Sequence, residues 1–223
     1  MPRERLVRSW FENAEAWTRA VRDGLIESRR LATDEAVVAA LMESTPTRVL
    51  DVGCGEGWLC RTLASHGVDV VGIDVSLPLV EAARAAGGGR FEQVAYDDLA
   101  EVADALGRFD AVACNFALLD EDLAPLLHSL KAMLAAEGRL VIQTVHPWGA
   151  CGEEPYRDGW RLETFAGFGG QVFPEAMPWY FRTLGSWHAA LSAAGFRVLA
   201  LREPSHPETG RPLSLLMVCT RGA

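Results

Sequence analysis

Val49-Leu50-Asp51-Val52-Gly53-Cys54-Gly55-Glu56-Gly57 decides how the rest of the chain is read. Val49 to Val52 is a short, β-branched apolar run bounded by turn residues, the pattern of a fully buried parallel strand. It carries an acid, Asp51, and then breaks into three alternating glycines, which let the backbone bend sharply and approach a ligand with no Cβ in the way. The following segment, Trp58 to His66, has Leu59, Leu63 and Ala64 at helical spacing. The glycines therefore sit where strand turns into helix and free N–H groups point outward. A second apolar run, Val70-Val71-Gly72-Ile73-Asp74, ends in an acid placed to accept hydrogen bonds from ribose hydroxyls. Together the two runs read as a nucleotide-type cofactor site.

The glycine spacing separates cofactor classes. A dinucleotide fingerprint is Gly-x-Gly-x-x-Gly, because a pyrophosphate must reach the helix N-terminus and the third glycine lets helix and strand pack closely. Trp58 stands at that third position. A Walker phosphate loop fails too, since no Gly-Lys-Ser/Thr follows. What remains is a loop for an adenosine cofactor without phosphates. At Leu50-Asp51-Val52-Gly53-Cys54-Gly55-Glu56-Gly57 the chain resembles the class I S-adenosylmethionine-dependent methyltransferases. The resemblance implies S-adenosylmethionine as cofactor, with Asp51, Gly53, Gly55 and Gly57 against its methionine part, Asp74 on the ribose and Val75 beside the adenine. Tyr96-Asp97-Asp98-Leu99 falls where the family reads the adenine amino group, although it departs from the commoner Gly-Asp-Ala pattern. Phe109 to Asn115 matches the fourth strand, with Asn115 at its carboxyl end, where open α/β sheets bind ligands. Leu130 to His146, with its Ala136-Glu137-Gly138-Arg139 turn, resembles the stretch leading into the fifth.

Residues 1–46 read as a helical cap: Trp10, Ala14, Trp17 and Val21 recur at helical spacing, as do Val37, Val38 and Leu41 after Thr33-Asp34. Pro46 closes it. Strands and helices then alternate in a cofactor core over 47–146: strand 47–52, helix 57–66, strand 68–73, helix 77–86, strand 90–95, helix 98–106, strand 109–114, helix 121–136 and strand 138–145. After Pro147 the rhythm breaks for about 35 residues rich in Gly, Pro and aromatics, and an irregular stretch of that length reads as a lid. A helix at 183–194 and strands at 196–203 and 213–220 complete a unit over 182–223. The expected fold is a Rossmann-like doubly wound α/β domain spanning 1–223, a seven-stranded mostly parallel sheet with a C-terminal antiparallel hairpin strand and N-terminal helices.

Composition narrows the function classes. With 223 residues, 49% of them hydrophobic, the chain can bury a sizeable core as one unit. It holds no stretch of about 18 uninterrupted apolar residues and no apolar h-region after Met1-Pro2-Arg3, so neither a membrane span nor a signal peptide is expected. The five cysteines form no CxxC pair and no metal-ligand spacing with the five histidines, so no metal is expected and the thiols read as free and mostly buried, in a reduced, cytoplasmic setting. A net charge of −9 argues against a nucleic-acid substrate held by its phosphates. The Asp/Asn-Pro-Pro-aromatic motif of amino-methylating nucleic-acid enzymes is replaced by Asn115-Phe116-Ala117-Leu118, and a Pro-Cys nucleophile is missing. A small-molecule acceptor is the expected partner. The oligomeric state is not legible.

A sulfonium methyl is already activated, so the protein must hold the acceptor in line at about 3 Å and exclude water. For an acceptor bearing a proton, His146 is the candidate base, since it follows directly on strand five and titrates near neutrality; its plainer reading is a histidine bonded at a strand end. His188 is a second choice. Arg29 reads either as a clamp on the cofactor carboxylate or as a solvated surface arginine. Trp10 and Trp17 read as packing residues, Asp110 as a turn or cap residue, and His66 and His128 as structural or solvated. The candidate acceptor wall is Trp148, Tyr156, Trp160, Phe165, Phe168, Phe173, Trp179, Tyr180 and Phe181; a lid packed on itself has the same composition. A nicotinamide-dependent oxidoreductase and a non-catalytic cofactor-binding regulatory member are the alternatives, to be separated by cofactor preference and by turnover.

Overall fold

The computed structural model describes residues 2–222. The N-terminal region is α1 (Pro2–Glu12), α2 (Ala14–Arg22), a π-helical turn at Arg29–Thr33 and α3 (Asp34–Met42). The core follows as β1 (Arg48–Val52), α4 (Trp58–Ser65), β2 (Asp69–Asp74), α5 (Leu77–Ala86), β3 (Arg90–Gln93), α6 (Leu99–Leu106), β4 (Phe109–Asn115), α7 (Ala124–Met133) and β5 (Leu134–Val145). Then come α8 (Pro147–Cys151), β6 (Gly159–Glu163), β7 (Met177–Phe181), α9 (Leu184–Ala193), β8 (Phe196–Arg202) and β9 (Ser214–Arg221). The seven-stranded sheet runs β3-β2-β1-β4-β5-β9-β8. Its first five strands are mutually parallel, and β9 is antiparallel to both β5 and β8. This is the expected architecture.

Side-chain alternation explains the layering. Leu50 and Val52 of β1 join Ile73, Val112 and Ile142 on one face, covered by Leu99 of α6, Leu127 and Leu130 of α7, and Leu191 of α9. Val49 joins Val70, Ala111 and Val141 on the other, covered by Leu41 of α3, Leu59 and Leu63 of α4, and Val80 of α5. Strands buried on both faces need apolar residues at successive positions, which is why β1 and β2 read as continuous apolar runs. Chain order reverses between β1 and β4, so a crevice opens beyond their carboxyl ends.

Three expectations need correction. The helix expected at 121–136 is α7, Ala124–Met133: Pro125 sits in its first turn, and Leu134 is already extended. The register step between Phe109↔Leu134 and Ala111↔Arg139 absorbs the 135–138 turn within β5. The stretch after Pro147 is not irregular throughout, because β6 and β7 pair as an antiparallel ribbon from Gly159↔Phe181 to Glu163↔Met177. Finally, the first 46 residues are helical only with a break over 23–26 and a π-helical turn at 29–33. Asp110 does have an anchoring role: its carboxylate accepts from the Thr47 N–H, the Thr47 hydroxyl and the Arg48 N–H. These bonds hold its pKa below the usual carboxylate range. All five cysteines are free and buried.

Candidate cofactor site

The glycine loop is held from below by β2. Gly53 and Cys54 N–H both donate to the Ile73 carbonyl, at 2.8 and 3.0 Å, and Gly55 N–H donates to Asp74 Oδ2 at 2.9 Å. Asp74 Oδ1 accepts from Ser76 N–H at 2.8 Å, so the acid is fixed at both oxygens and keeps lone pairs for a ligand. Burial pushes the Asp74 pKa up, against the lowering effect of these backbone donors. Gly53 and Gly55 lie at φ +72° and +55°, where a side chain is strained. A Cβ at Gly53 would also meet Ala117 Cβ at 2.6 Å, whereas at Gly55 it would point toward the Trp17 indole nitrogen at 3.4 Å.

Beyond the loop lies a cavity of about 440 Å³, in the usual range for a small-molecule site. Of the residues singled out in the sequence, Gly53, Gly55, Asp74, Val75, Tyr96, Asp97 and Asn115 line it. Four others do not. Gly57 caps α4 at φ +84°, and a Cβ there would meet the Phe91 ring at 2.9 Å, so this glycine serves helix–strand packing. Asp51 is buried beneath the loop, beside the Cys60 thiol at 3.4 Å. Burial, against the lowering bond from Cys60 and with the Asp74 charge adding to it, pushes its pKa up to about 7. Arg29 turns away: its guanidinium pairs with Asp34 at 2.9 Å and lies 4.4 Å over the Trp58 ring. His146 Nε2 pairs with Glu203 Oε1 at 2.8 Å, and its buried Nδ1 has no partner among the described residues.

The aromatic wall is also not the one expected. Trp10, Trp17, Tyr96 and Phe116 line the cavity, and none of the nine aromatics singled out between 148 and 181 does. Those rings largely satisfy one another: Phe165 stacks on Phe173 at 4.1 Å, Phe168 meets Phe165 edge-on at 5.3 Å, and Trp160 meets Tyr180 at 5.6 Å. Trp17 bridges the two groups, edge-on to Trp10 at 5.3 Å and 5.9 Å from Phe168.

Three features escaped the sequence. Glu56, between two of the glycines, is buried with Arg22 of α2 at 2.8 Å and Arg61 of α4 at 2.7 Å, and so ties the cap to the loop. Arg61 lies five residues on, within one helical neighbourhood, whereas Arg22 is 34 residues away and is brought there by the fold. Arg3 of α1 pairs with both Asp97 and Asp120 at the cavity mouth. Phe116 sits at φ +54°, an uncommon conformation for a bulky residue, and such strain collects at functional sites. His66 and His128 bond to Thr62 and Ala124 carbonyls one turn back.

Comparison with known proteins agrees with this geometry. A family model described as a methyltransferase domain matches residues 25–201. The chain belongs to the S-adenosylmethionine-dependent methyltransferases. This methyltransferase is similar to a solved S-adenosylmethionine-dependent methyltransferase from Mesorhizobium loti, with 27% identity and a TM-score of 0.64 over 84% of this chain and 96% of that one. A ubiquinone biosynthesis O-methyltransferase of Xanthomonas oryzae is 35% identical over 116 residues, 49% of this chain and 47% of that protein. The ribosomal RNA small subunit methyltransferase C of Cronobacter sakazakii is 42% identical over 86 residues, 36% of this methyltransferase and 24% of that protein. The chain thus spans about half or less of the length of these curated relatives.

Proposed function

We propose that the protein transfers the methyl group of S-adenosylmethionine to a small-molecule acceptor. The observation that carries this reading is Asp74, fixed at both oxygens beside two glycines with positive φ, in a cavity of cofactor size. In this reading Asp74 takes the ribose hydroxyls, Val75, Tyr96 and Asp97 flank the adenine, and Gly53 and Gly55 lie along the methionine part. Asn115 stands where cofactor and acceptor meet. No group in the loop suits a pyrophosphate, since Trp58 opens α4 where a dinucleotide site needs glycine. Buried free thiols and the charge of −9 support a cytoplasmic enzyme with an acceptor other than nucleic acid.

The cofactor supplies an activated methyl, and the protein supplies position and dryness. His146 is held by Glu203 and does not line the cavity, which supports a role other than taking a proton from an acceptor bound there. We therefore assign catalysis to positioning and His146 to the base of the lid. His146→Ala should keep turnover within about tenfold, well short of the roughly 10²- to 10⁴-fold loss expected for a general base.

Cofactor preference tests the whole reading. S-Adenosylmethionine at about 100 times its dissociation constant should stabilise the fold by roughly 2.7 kcal/mol. For a chain of this size that is a rise in Tm of about 5 to 10 °C. A larger rise with NADH would overturn the reading.

A further inference from the structure

Gln143 is fully buried on β5, in register with Asn115 on β4. Its Nε2 donates to the Thr33 carbonyl at 2.9 Å and to Asn115 Oδ1 at 2.8 Å, and its Oε1 accepts from the buried Ser214 hydroxyl at 3.1 Å. A backbone carbonyl can only accept, so Thr33 fixes which end of the Gln143 amide is nitrogen. Its other N–H then requires an acceptor, which turns Asn115 Oδ1 toward Gln143 and leaves the Asn115 NH₂ group without a partner among the described residues. Asn115 lines the cavity. The chain beyond it is held in place: Phe116 N–H donates to the Gln143 carbonyl at 2.7 Å and the Tyr96 hydroxyl to the Ala117 carbonyl at 3.2 Å.

Sheet geometry places this group relative to the cofactor. Asp74 ends β2 and Asn115 ends β4 with β1 between them, a separation of about 10 Å at the usual strand spacing. With the ribose at Asp74 and the methionine part over the β1 glycines, the sulfonium, its methyl and an attacking atom at about 3 Å extend toward β4. We propose that Gln143 fixes the Asn115 carboxamide with its NH₂ facing the acceptor, so that the group methylated is an ionised oxygen and not an amine. This rests on the proposed methyl transfer. An NH₂ group only donates; it steadies an oxyanion and offers nothing to the N–H groups of an amine. In the step the oxyanion lone pair forms the new O–C bond, the C–S bond breaks, and its electron pair returns to sulfur as a neutral thioether. No proton moves, so no base is required. Arg3 takes up the Asp97 and Asp120 carboxylates at the mouth, and the sulfonium itself offsets the acceptor's charge.

The probe pair is 4-nitrophenol and its amine counterpart 4-nitroaniline, each titrated into protein saturated with S-adenosylhomocysteine. Wild type should bind the phenolate about tenfold more tightly than the aniline, the scale of one charge-assisted hydrogen bond. Its phenolate absorbance band should appear at lower pH than in free solution. Asn115→Asp, of equal size but accepting only, should abolish that preference and the spectral shift. Gln143→Leu should leave S-adenosylhomocysteine affinity within about threefold while reducing the preference, a split that general destabilisation would not produce. If Gln143→Leu does not fold, the wild-type pair and Asn115→Asp decide alone. Wild type that binds S-adenosylhomocysteine but takes the aniline equally well, or takes neither probe, overturns the inference and leaves the methyltransferase reading standing. Failure to bind S-adenosylhomocysteine removes both.

Discussion

The β1–β2 half of the cofactor cavity and the 147–181 half of the molecule beside it are held together by different physics. On the β1–β2 side the walls are backbone: the Ile73 carbonyl takes two loop N–H groups, and Asp74 takes two more. In the 147–181 segment, whose rings stay out of the cavity, Phe165, Phe168 and Phe173 pack on one another and β6 pairs with β7 as a short ribbon. Backbone hydrogen bonds are directional and fix geometry to fractions of an ångström, whereas aromatic clusters are held by area and tolerate repacking. The first half suits a constant cofactor, and the second can repack without disturbing it.

Substitutions can break this contrast, beginning with the one expected to act most strongly. Gly55→Val should abolish S-adenosylmethionine binding by calorimetry, a loss of more than about 100-fold, because a β-branched residue resists φ +55° and fills the cavity. Retained affinity in the folded variant would place the cofactor elsewhere. Phe165→Ala removes a ring that is 2% exposed and should cost about 3 to 5 kcal/mol in a denaturant titration. Cofactor affinity measured below that transition should stay nearly unchanged; a matching loss would mean that the halves are one cooperative unit. Asp74→Ala should weaken cofactor binding by about 1 to 3 kcal/mol, the value of lost charge-assisted bonds, and unchanged affinity would remove Asp74 from the ribose.

Asp51 sharpens the comparison through pH. Its folded pKa, about 7, lies above its ordinary value of 3.8, so the folded state holds the proton more tightly and loses stability as pH rises through that interval. Asp51→Asn should therefore have a higher denaturation midpoint than wild type at pH 8, with the gap narrowing as pH falls below about 7 and closing only below about pH 4. A gap independent of pH would assign the effect to packing. The smallest change is expected from Arg3→Ala: its side chain is 50% exposed, so stability should move by less than about 1 kcal/mol, with cofactor release a few-fold faster in stopped-flow measurements.

The sheet and the glycine loop were legible because they depend on local pattern: apolar runs of strand length, turn residues between them, and an acid at the end of β2. The lid was not, because Phe165 and Trp179 have the same composition whether they face a substrate or one another. Arg29 stays open between two readings in the sequence for a related reason. An arginine near a cofactor loop is attracted equally well by Asp34, five residues away, and by the Trp58 ring. Gln143 gave no signal, since its meaning comes from Thr33, Asn115 and Ser214, which the fold alone brings together.

The Glu56 pairing bears on how the cofactor comes and goes. Moving α2 off the loop would strip a fully buried carboxylate of one of its two arginines, a costly state for an unbalanced charge. α1 is held by lighter contacts: Arg3 on Asp97 and Asp120, Arg8 on Glu175, and the Ser76 hydroxyl donating to the Trp10 carbonyl at 3.1 Å. Between the two helices lies Asn13, whose amide exchanges two hydrogen bonds with the Glu175 backbone. A swing of α1 about Asn13 would break the exposed Arg3 and Arg8 pairs, the Ser76 bond and the packing of buried Leu6 while leaving the Glu56 pairs intact, so cofactor release should quicken as salt screens those pairs.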